Sequence, residues 1–298
     1  MSGSPLVSII IPTYNQSEYL NQALISVLEQ TFSRWEAIVI NNFSNDDTQA
    51  VVESFNDPRI TLINFRNHGI IAASRNRGIE IAKGKYLAFL DSDDYWFPEK
   101  LETCLDVLEP EGEFVCHGLH LFGCGYNKDR FYGPEKKFEF NQLLNQGNCV
   151  ATSAVVTRAD LVRKVGGISE AREMVTAEDY HLWLKMAKIG TKAKFIDNIL
   201  GAYRYHSDNT GSIARQAQAV KSVISDFYPK VQSRTITDKI KLRLRFGIIE
   251  YGVGRIMQSN DRFESAWAFF WRALKLNPFH YKTYIAIMLN LFKINPDK

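Results

Sequence analysis

Tyr86-Leu87-Ala88-Phe89-Leu90-Asp91-Ser92-Asp93-Asp94 sets three carboxylates on the end of an apolar run. A buried strand that delivers acidic side chains at its carboxyl end puts negative charge where an open α/β sheet binds its ligands. Hard oxygen donors clustered in this way suit Mg²⁺ or Mn²⁺, ions held by one or two carboxylates together with the phosphates of a substrate. The same residues also serve as a solvated acidic turn ahead of the helix that Pro98 opens, so the neighbouring chain has to decide between the two.

Upstream, strands alternate with helices. Val7–Pro12 reads as a buried strand, followed by Leu20, Ala23, Leu24, Val27 and Leu28 at the spacing of one helical face. Ala37–Ile40 and Ile60–Asn64 read as the second and third strands, with helices over 47–55 and 71–83 and the acidic strand at 86–90. That alternation predicts a mostly parallel, Rossmann-like α/β sheet flanked by helices. No G-x-G-x-x-G follows the first strand, so a dinucleotide fingerprint is missing. Beyond residue 110 the alternation weakens: 111–140 reads as strands and loops added at the sheet edge, and 148–158 as a further strand. Glu178-Asp179 heads a strong helical pattern, where a helix N-terminus stabilises a carboxylate.

Of the 298 residues, 45% are hydrophobic, enough for a sizeable core. The net charge of +3 is too small to argue for nucleic acid, but it is unevenly distributed. Residues 1–225 carry 23 Lys+Arg against 27 Asp+Glu, whereas 226–298 carry 13 against 6. This division predicts one domain over 1–225 and a basic, amphipathic helical extension over 226–298 whose neighbour is an anionic surface. Within the extension, Tyr281–Phe292 is apolar nearly all round yet too short to span a bilayer, which leaves packing on the domain or lying at a membrane interface. Cys104, Cys116, Cys124 and Cys149 form no C-x-x-C pair and read as free thiols of a cytoplasmic protein. The run Leu6–Ile11 is too short for a signal-peptide core and lacks a basic lead.

Four segments in order resemble a family-2 glycosyltransferase with the GT-A fold: Ser8–Asn15, Ala72–Gly84 with Arg75-Asn76 and Gly78, Leu90–Asp94, and Gly166–Trp183. The resemblance implies an inverting, metal-dependent enzyme that moves a sugar from a nucleotide donor to a saccharide or lipid-linked acceptor. Such transfer needs a cation for the departing diphosphate and a base for the acceptor hydroxyl. By the resemblance, Pro12, Thr13, Tyr14, Asn15, Asn42, Arg75, Asp91, Ser92 and Asp93 belong to the donor site. Asp93 and His206 are then the ligands of Mn²⁺ or Mg²⁺, Asp179 is the base with Glu178 beside it, and Asn148 and Trp183 lie toward the acceptor. Residue chemistry leaves other uses open: a surface ion pair for Arg75, a polar network for His206, a loop cap for Asn148 and the core for Trp183. A lipid-linked acceptor would bring the protein to the inner face of the cytoplasmic membrane.

One departure stands out. Where the family often has Asp-Asp after the second strand, this chain has Asn41-Asn42. An amide oxygen can still accept the N3–H of uracil, more weakly than a carboxylate, so uridine is the expected base. Two rivals differ in class. A sugar-nucleotide pyrophosphorylase would open with a Gly-rich phosphate loop, which Pro12-Thr13-Tyr14-Asn15 is not, and a non-catalytic sugar-nucleotide binding module would leave Asp91, Asp93 and Asp179 without work.

Overall fold

The computed structural model describes residues 4–109, 112–206, 213–229, 232 and 234–295. The chain divides into two compact units, 1–209 and 210–298. This division falls before the helix Ile213–Asp226 rather than after it, because that helix packs with the C-terminal helices.

In the first unit, β1 (Val7–Thr13), α1 (Ser17–Leu28), β2 (Trp35–Asn41), α2 (Thr48–Ser54), β3 (Ile60–Asn64), α3 (Ile71–Ile81) and β4 (Tyr86–Phe89) follow the expected alternation. Next come β5 (Tyr95–Trp96), α4 (Lys100–Leu108), β6 (Phe114–Gly123), β7 (Tyr126–Arg130), α5 (Glu135–Phe138) and α6 (Phe140–Gln146). The unit closes with β8 (Val155–Arg158), α7 (Ala159–Lys164), α8 (Glu178–Lys188) and β9 (Ala193–Arg204). The strands form one sheet in the order β3-β2-β1-β4-β8-β6-β9-β5, with β7 paired to β6. Strands β3, β2, β1 and β4 are parallel, whereas β8 runs antiparallel to both β4 and β6, so the sheet is mixed beyond the acidic strand.

Every residue of β1 is buried, as its β-branched run predicts for a strand covered on both faces. Val7, Ile9 and Ile11 pack with Leu20, Ala23, Leu24 and Val27 of α1 and with Leu101 and Leu105 of α4. Ile10 points to the other face, where α3 lies so close that a Cβ at Gly78 would come within 2.8 Å of its Cγ2. The chain steps outward from β1 to β2 to β3, and α3 then carries it back to β4 on the far side of β1. That reversal opens a crevice outside the carboxyl ends of β1 and β4.

Two expectations are corrected here. The segment after residue 110 holds an interior strand, since β6 lies between β8 and β9. Only the last four residues of 148–158 form a strand, following a single 3-10 turn over Thr152–Ala154.

The second unit consists of α9 (Ile213–Asp226), α10 (Ile236–Ser259), α11 (Phe263–Leu276) and α12 (Tyr281–Leu291). Thr235 and Asp238 form a capping box at the start of α10. Gly247 and Gly254 let α11 approach α10 closely, against Asn277 and Phe270 respectively. No helix among the described residues is long and apolar enough to cross a membrane.

Candidate active site

A cleft of about 480 Å³ occupies the crevice at the strand ends. Pro12, Thr13 and Tyr14 line it from the end of β1, Asn42 from the loop after β2, Asn67 and Gly69 from the loop after β3, and Asp91, Ser92 and Asp93 from the end of β4. Each of those stretches leaves the sheet at the same edge, because the four strands are parallel.

The three carboxylates that follow β4 have different partners. Asp91 accepts from Arg75 Nη2 at 2.5 Å, and Nη1 of the same guanidinium donates to Glu178 Oε1 at 3.0 Å. Arg75 is buried on α3, so a single cation joins the acidic strand to the head of α8. Burial opposes its charge, but Asp91, Glu178 and Asp179 outweigh that and raise its pKa. Asp93 Oδ2 meets His206 Nε2 at 2.8 Å, with both side chains largely shielded. Burial and the nearby charge of Asp91 raise the pKa of Asp93, partly offset by His206. Asp94 turns inward, accepting from Ser153 Oγ at 2.6 Å and from the Arg204 N–H at 3.0 Å. It ties β4 to β9 and is fully buried, which pushes its pKa well above the usual carboxylate range.

Asp179 and Glu178 occupy the first turn of α8. Both oxygens of Glu178 are engaged, one by Arg75 and the other by the Thr176 N–H at 2.7 Å. Asp179 accepts from Thr152 Oγ1 at 3.0 Å and from the Tyr180 N–H. Burial, then the Glu178 charge, lift its pKa to about 6, with Arg75 and the hydrogen bonds pulling the other way. Neither side chain lines the cleft, whose wall nearest to them is Thr176, held at a left-handed φ of 85°.

The remaining expected site residues divide clearly. Asn42 lines the cleft, and its side-chain oxygen accepts from the Asn67 N–H at 3.0 Å. Asn15 is used as a brace: its N–H donates to Ser44 Oγ and its side-chain oxygen accepts from the Asn45 N–H, joining the loops after β1 and β2. Asn148 accepts from the Val150 N–H at 3.1 Å and shapes its own loop away from the cleft. Trp183, expected toward the acceptor, is wholly buried, with Phe89 and Phe114 set edge-on to its ring. An apolar helix face that packs on the sheet has no room to present an indole to solvent, so the acceptor assignment of Trp183 is withdrawn.

Sequence reading did not find Gln16, Asn67, Thr176, Tyr203 or Arg204. Gln16 accepts from Ser92 Oγ at 2.6 Å, while Tyr203 closes one side of the cleft. Arg204 donates to the Asp93 carbonyl at 3.0 Å and lies over the rings of Tyr19 and Phe122. Asn67 precedes two left-handed residues, His68 and Gly69, and Asn-His-Gly is a turn signature that could have flagged it.

Asp93 and His206 offer a carboxylate and an imidazole at one end of the cleft. No group of three or more His, Cys, Asp or Glu side chains suited to a metal occurs among the described residues. A divalent ion seated here would therefore take its other ligands from substrate oxygens, the arrangement usual for Mg²⁺ and Mn²⁺ in phosphate sites. Thr13 Oγ1 is buried in the cleft wall without a partner, which also fits a site completed by its ligand.

The sequence model described as Glycosyl transferase family 2 matches residues 8–166. The chain belongs to that family. As a family-2 glycosyltransferase it resembles WfaP of Escherichia coli, a UDP-Glc:alpha-D-GlcNAc-diphosphoundecaprenol beta-1,3-glucosyltransferase. The two are 28% identical over 223 residues, spanning 73% of this chain and 86% of the relative. Its fold is similar to that of S. aureus TarS 1-349 in complex with UDP-GlcNAc, with a TM-score of 0.60 and 16% identity over 88% of this chain and 87% of that one. It is also similar to the mannosyltransferase PcManGT from Pyrobaculum calidifontis in complex with GDP-Man and Mn²⁺, with a TM-score of 0.55 and 16% identity over 97% and 88%. The protein is thus a glycosyltransferase of the GT-A fold.

Proposed function

We propose that the enzyme transfers a hexosyl or N-acetylhexosaminyl group from a UDP-sugar, with inversion, to a lipid-linked saccharide at the inner face of the cytoplasmic membrane. The observation that carries this reading is the cleft itself, where four parallel strand ends converge and the acidic turn sorts into one buried link, one ion pair and one carboxylate beside His206. Asp93 and His206 would hold Mn²⁺ or Mg²⁺. When bound, the ion would neutralise charge that builds on the departing diphosphate.

Pro12, Thr13 and Tyr14 form one wall of the donor site, and Asn42 stands where the nucleobase edge would lie. Its oxygen already accepts one backbone N–H, but an amide carbonyl has two lone pairs, and the second suits the N3–H of uracil. The UDP-sugars named for WfaP and for the TarS complex support the same base. Ser92, held by Gln16, and Asp91, held by Arg75, keep the cleft floor rigid. Asp179 is the base: Glu178 has both oxygens committed to Arg75 and Thr176, whereas burial leaves Asp179 poised to take up a proton near pH 6. Its place beside the donor cleft rather than within it agrees with a group that acts on the acceptor. One base with no second carboxylate nucleophile implies a single displacement and hence inversion.

The test is twofold. Thermal unfolding with UDP, GDP and Mn²⁺ should show stabilisation by UDP that requires the metal. Incubation with UDP-glucose or UDP-N-acetylglucosamine and a lipid-linked N-acetylglucosamine diphosphate should give an inverted product. Preferential stabilisation by GDP would remove uridine, and transfer unaffected by chelator would remove the metal.

A further inference from the structure

Helix α12 is built inside out. The side it turns to the helical unit carries Thr283, Ala286 and Asn290, all essentially buried, and Gln258 of α10 donates to the Ala286 carbonyl and to Asn290 Oδ1. The side it turns outward carries Tyr281, Tyr284, Ile285, Met288, Leu291 and Phe292, each 50–65% exposed. These positions recur at three- and four-residue steps and so form one continuous stripe along the helix. A helix of a water-soluble bundle normally shows the reverse pattern, with its large apolar residues inward. An exposed apolar stripe of this extent marks a surface that another body covers.

The charge beside the stripe selects the occupant. Between Ser265 and Pro296 there is no Asp or Glu, whereas Lys275, Lys282 and Lys293 fall within that interval; Arg272, also within it, pairs with Glu250 of α10. Lys282 and Lys293 stand at the two ends of α12, both exposed. Large apolar and aromatic side chains with cations at their margin match the boundary between acyl chains and anionic headgroups, where rings sit at headgroup depth and each nearby Lys or Arg adds attraction. A protein partner would more often be met by a rim of mixed charge.

We infer that the outward face of α12 docks on an anionic phospholipid surface, with Tyr284, Ile285, Met288 and Phe292 inserted and Lys282 and Lys293 in contact with headgroups. The inference rests on the reading that the acceptor is lipid-linked, because a membrane-seated enzyme meets such a substrate in two dimensions rather than three.

The experiment is co-sedimentation of the full chain with phosphatidylcholine vesicles, with and without phosphatidylglycerol. It is run on the native protein, on a triple variant (Ile285→Glu, Met288→Glu, Phe292→Glu) and on a double variant (Lys282→Glu, Lys293→Glu). Native protein should bind the anionic vesicles in a salt-sensitive manner, and both variants should lose about tenfold or more in affinity. All five substituted residues are exposed, and stabilisation by UDP, measured in parallel, should be the same in the three proteins. Equal binding by native protein and both variants, equal binding to neutral and anionic vesicles, or no binding by native protein would overturn the inference. So would a native dimer that the triple variant converts to monomer with no change at vesicles, since the stripe would then meet a second copy of itself. Vesicle binding without transfer to any lipid-linked acceptor would uphold the surface and count against the catalytic reading alone.

Discussion

At the scale of single residues, neighbouring carboxylates of one motif have been given different chemistry by what surrounds them. Asp179 and Glu178 are adjacent in sequence, yet only Asp179 combines a pKa near 6 with a place outside the Arg75 bridge. Asp179→Asn keeps size and shape but cannot take up the acceptor proton, so kcat is expected to fall by about 10²–10⁴-fold while UDP binding is not weakened. In the native enzyme kcat/KM should decline as pH drops through about 6, because a raised carboxylate pKa leaves the base protonated over that range. A pH profile flat down to pH 5 would move the base elsewhere. Asp93→Ala leaves the buried Asp94 link intact, so the fold should persist while Mn²⁺-dependent stabilisation by UDP disappears. Unchanged stabilisation in that variant would show that Asp93 does not hold the ion. The acidic strand end was legible in the residues themselves, while the family resemblance grouped Pro12–Tyr14 and Asn42 with it; these residues line one cleft, and Arg75 meets Asp91 behind its wall. What was not legible were groups whose value depends on a partner far away in the chain. Gln16 matters because it meets Ser92, and Asn15 turned out to brace a neighbouring loop.

At the scale of elements, α3 explains why several motif residues occur together. Arg75 reaches Asp91 at the cleft wall and Gly78 lets the helix settle on Ile10. Asn76 grips the loop before α8 through both the N–H and the carbonyl of Ile168, with Gly167 beside it at φ 66°. A Cβ on Gly78 would lie 2.8 Å from Ile10 Cγ2 and 3.2 Å from Cδ1, so Gly78→Ala must lift the helix. The expected cost is about 1–3 kcal/mol in urea unfolding, accompanied by reduced turnover as Arg75 moves with the helix. Loss of stability with no loss of activity would mean that the shift is absorbed before it reaches Arg75. The strands up to β4 were readable because each is a short apolar run between turn residues. Strand β9 was missed because Asp197-Asn198 and Gly201 interrupt it, and its pairing with β6 slips in register on either side of Gly118. With β9 unread, Tyr203 and Arg204 could not be brought to the cleft.

For the molecule as a whole, Lys100 is an uncompensated cost in the core. Its side chain is fully buried, its amine lies 3.4 Å from the centroid of the Trp96 ring, and it has no hydrogen-bond partner. Burial lowers its pKa from 10.5 to about 7, slightly opposed by Cys104 and Cys116. Between those two values the unfolded chain holds a proton that the folded one has released, so stability should rise as pH increases from 7 to about 10. Lys100→Met should raise Tm at pH 7 and flatten that slope; an unchanged slope would assign it to another group. The bridge from Asp91 through Arg75 to Glu178 carries a different consequence for the enzyme as a machine. Arg75 also lowers the pKa of Asp179, so a nucleotide diphosphate that draws the guanidinium toward itself weakens its hold on that carboxylate. Thermodynamic reciprocity then requires that taking up the donor and taking up a proton at the base reinforce one another by the same factor in both directions. The enzyme would sense through one buried guanidinium that its donor has arrived, and UDP should bind more tightly below pH 6 than above it.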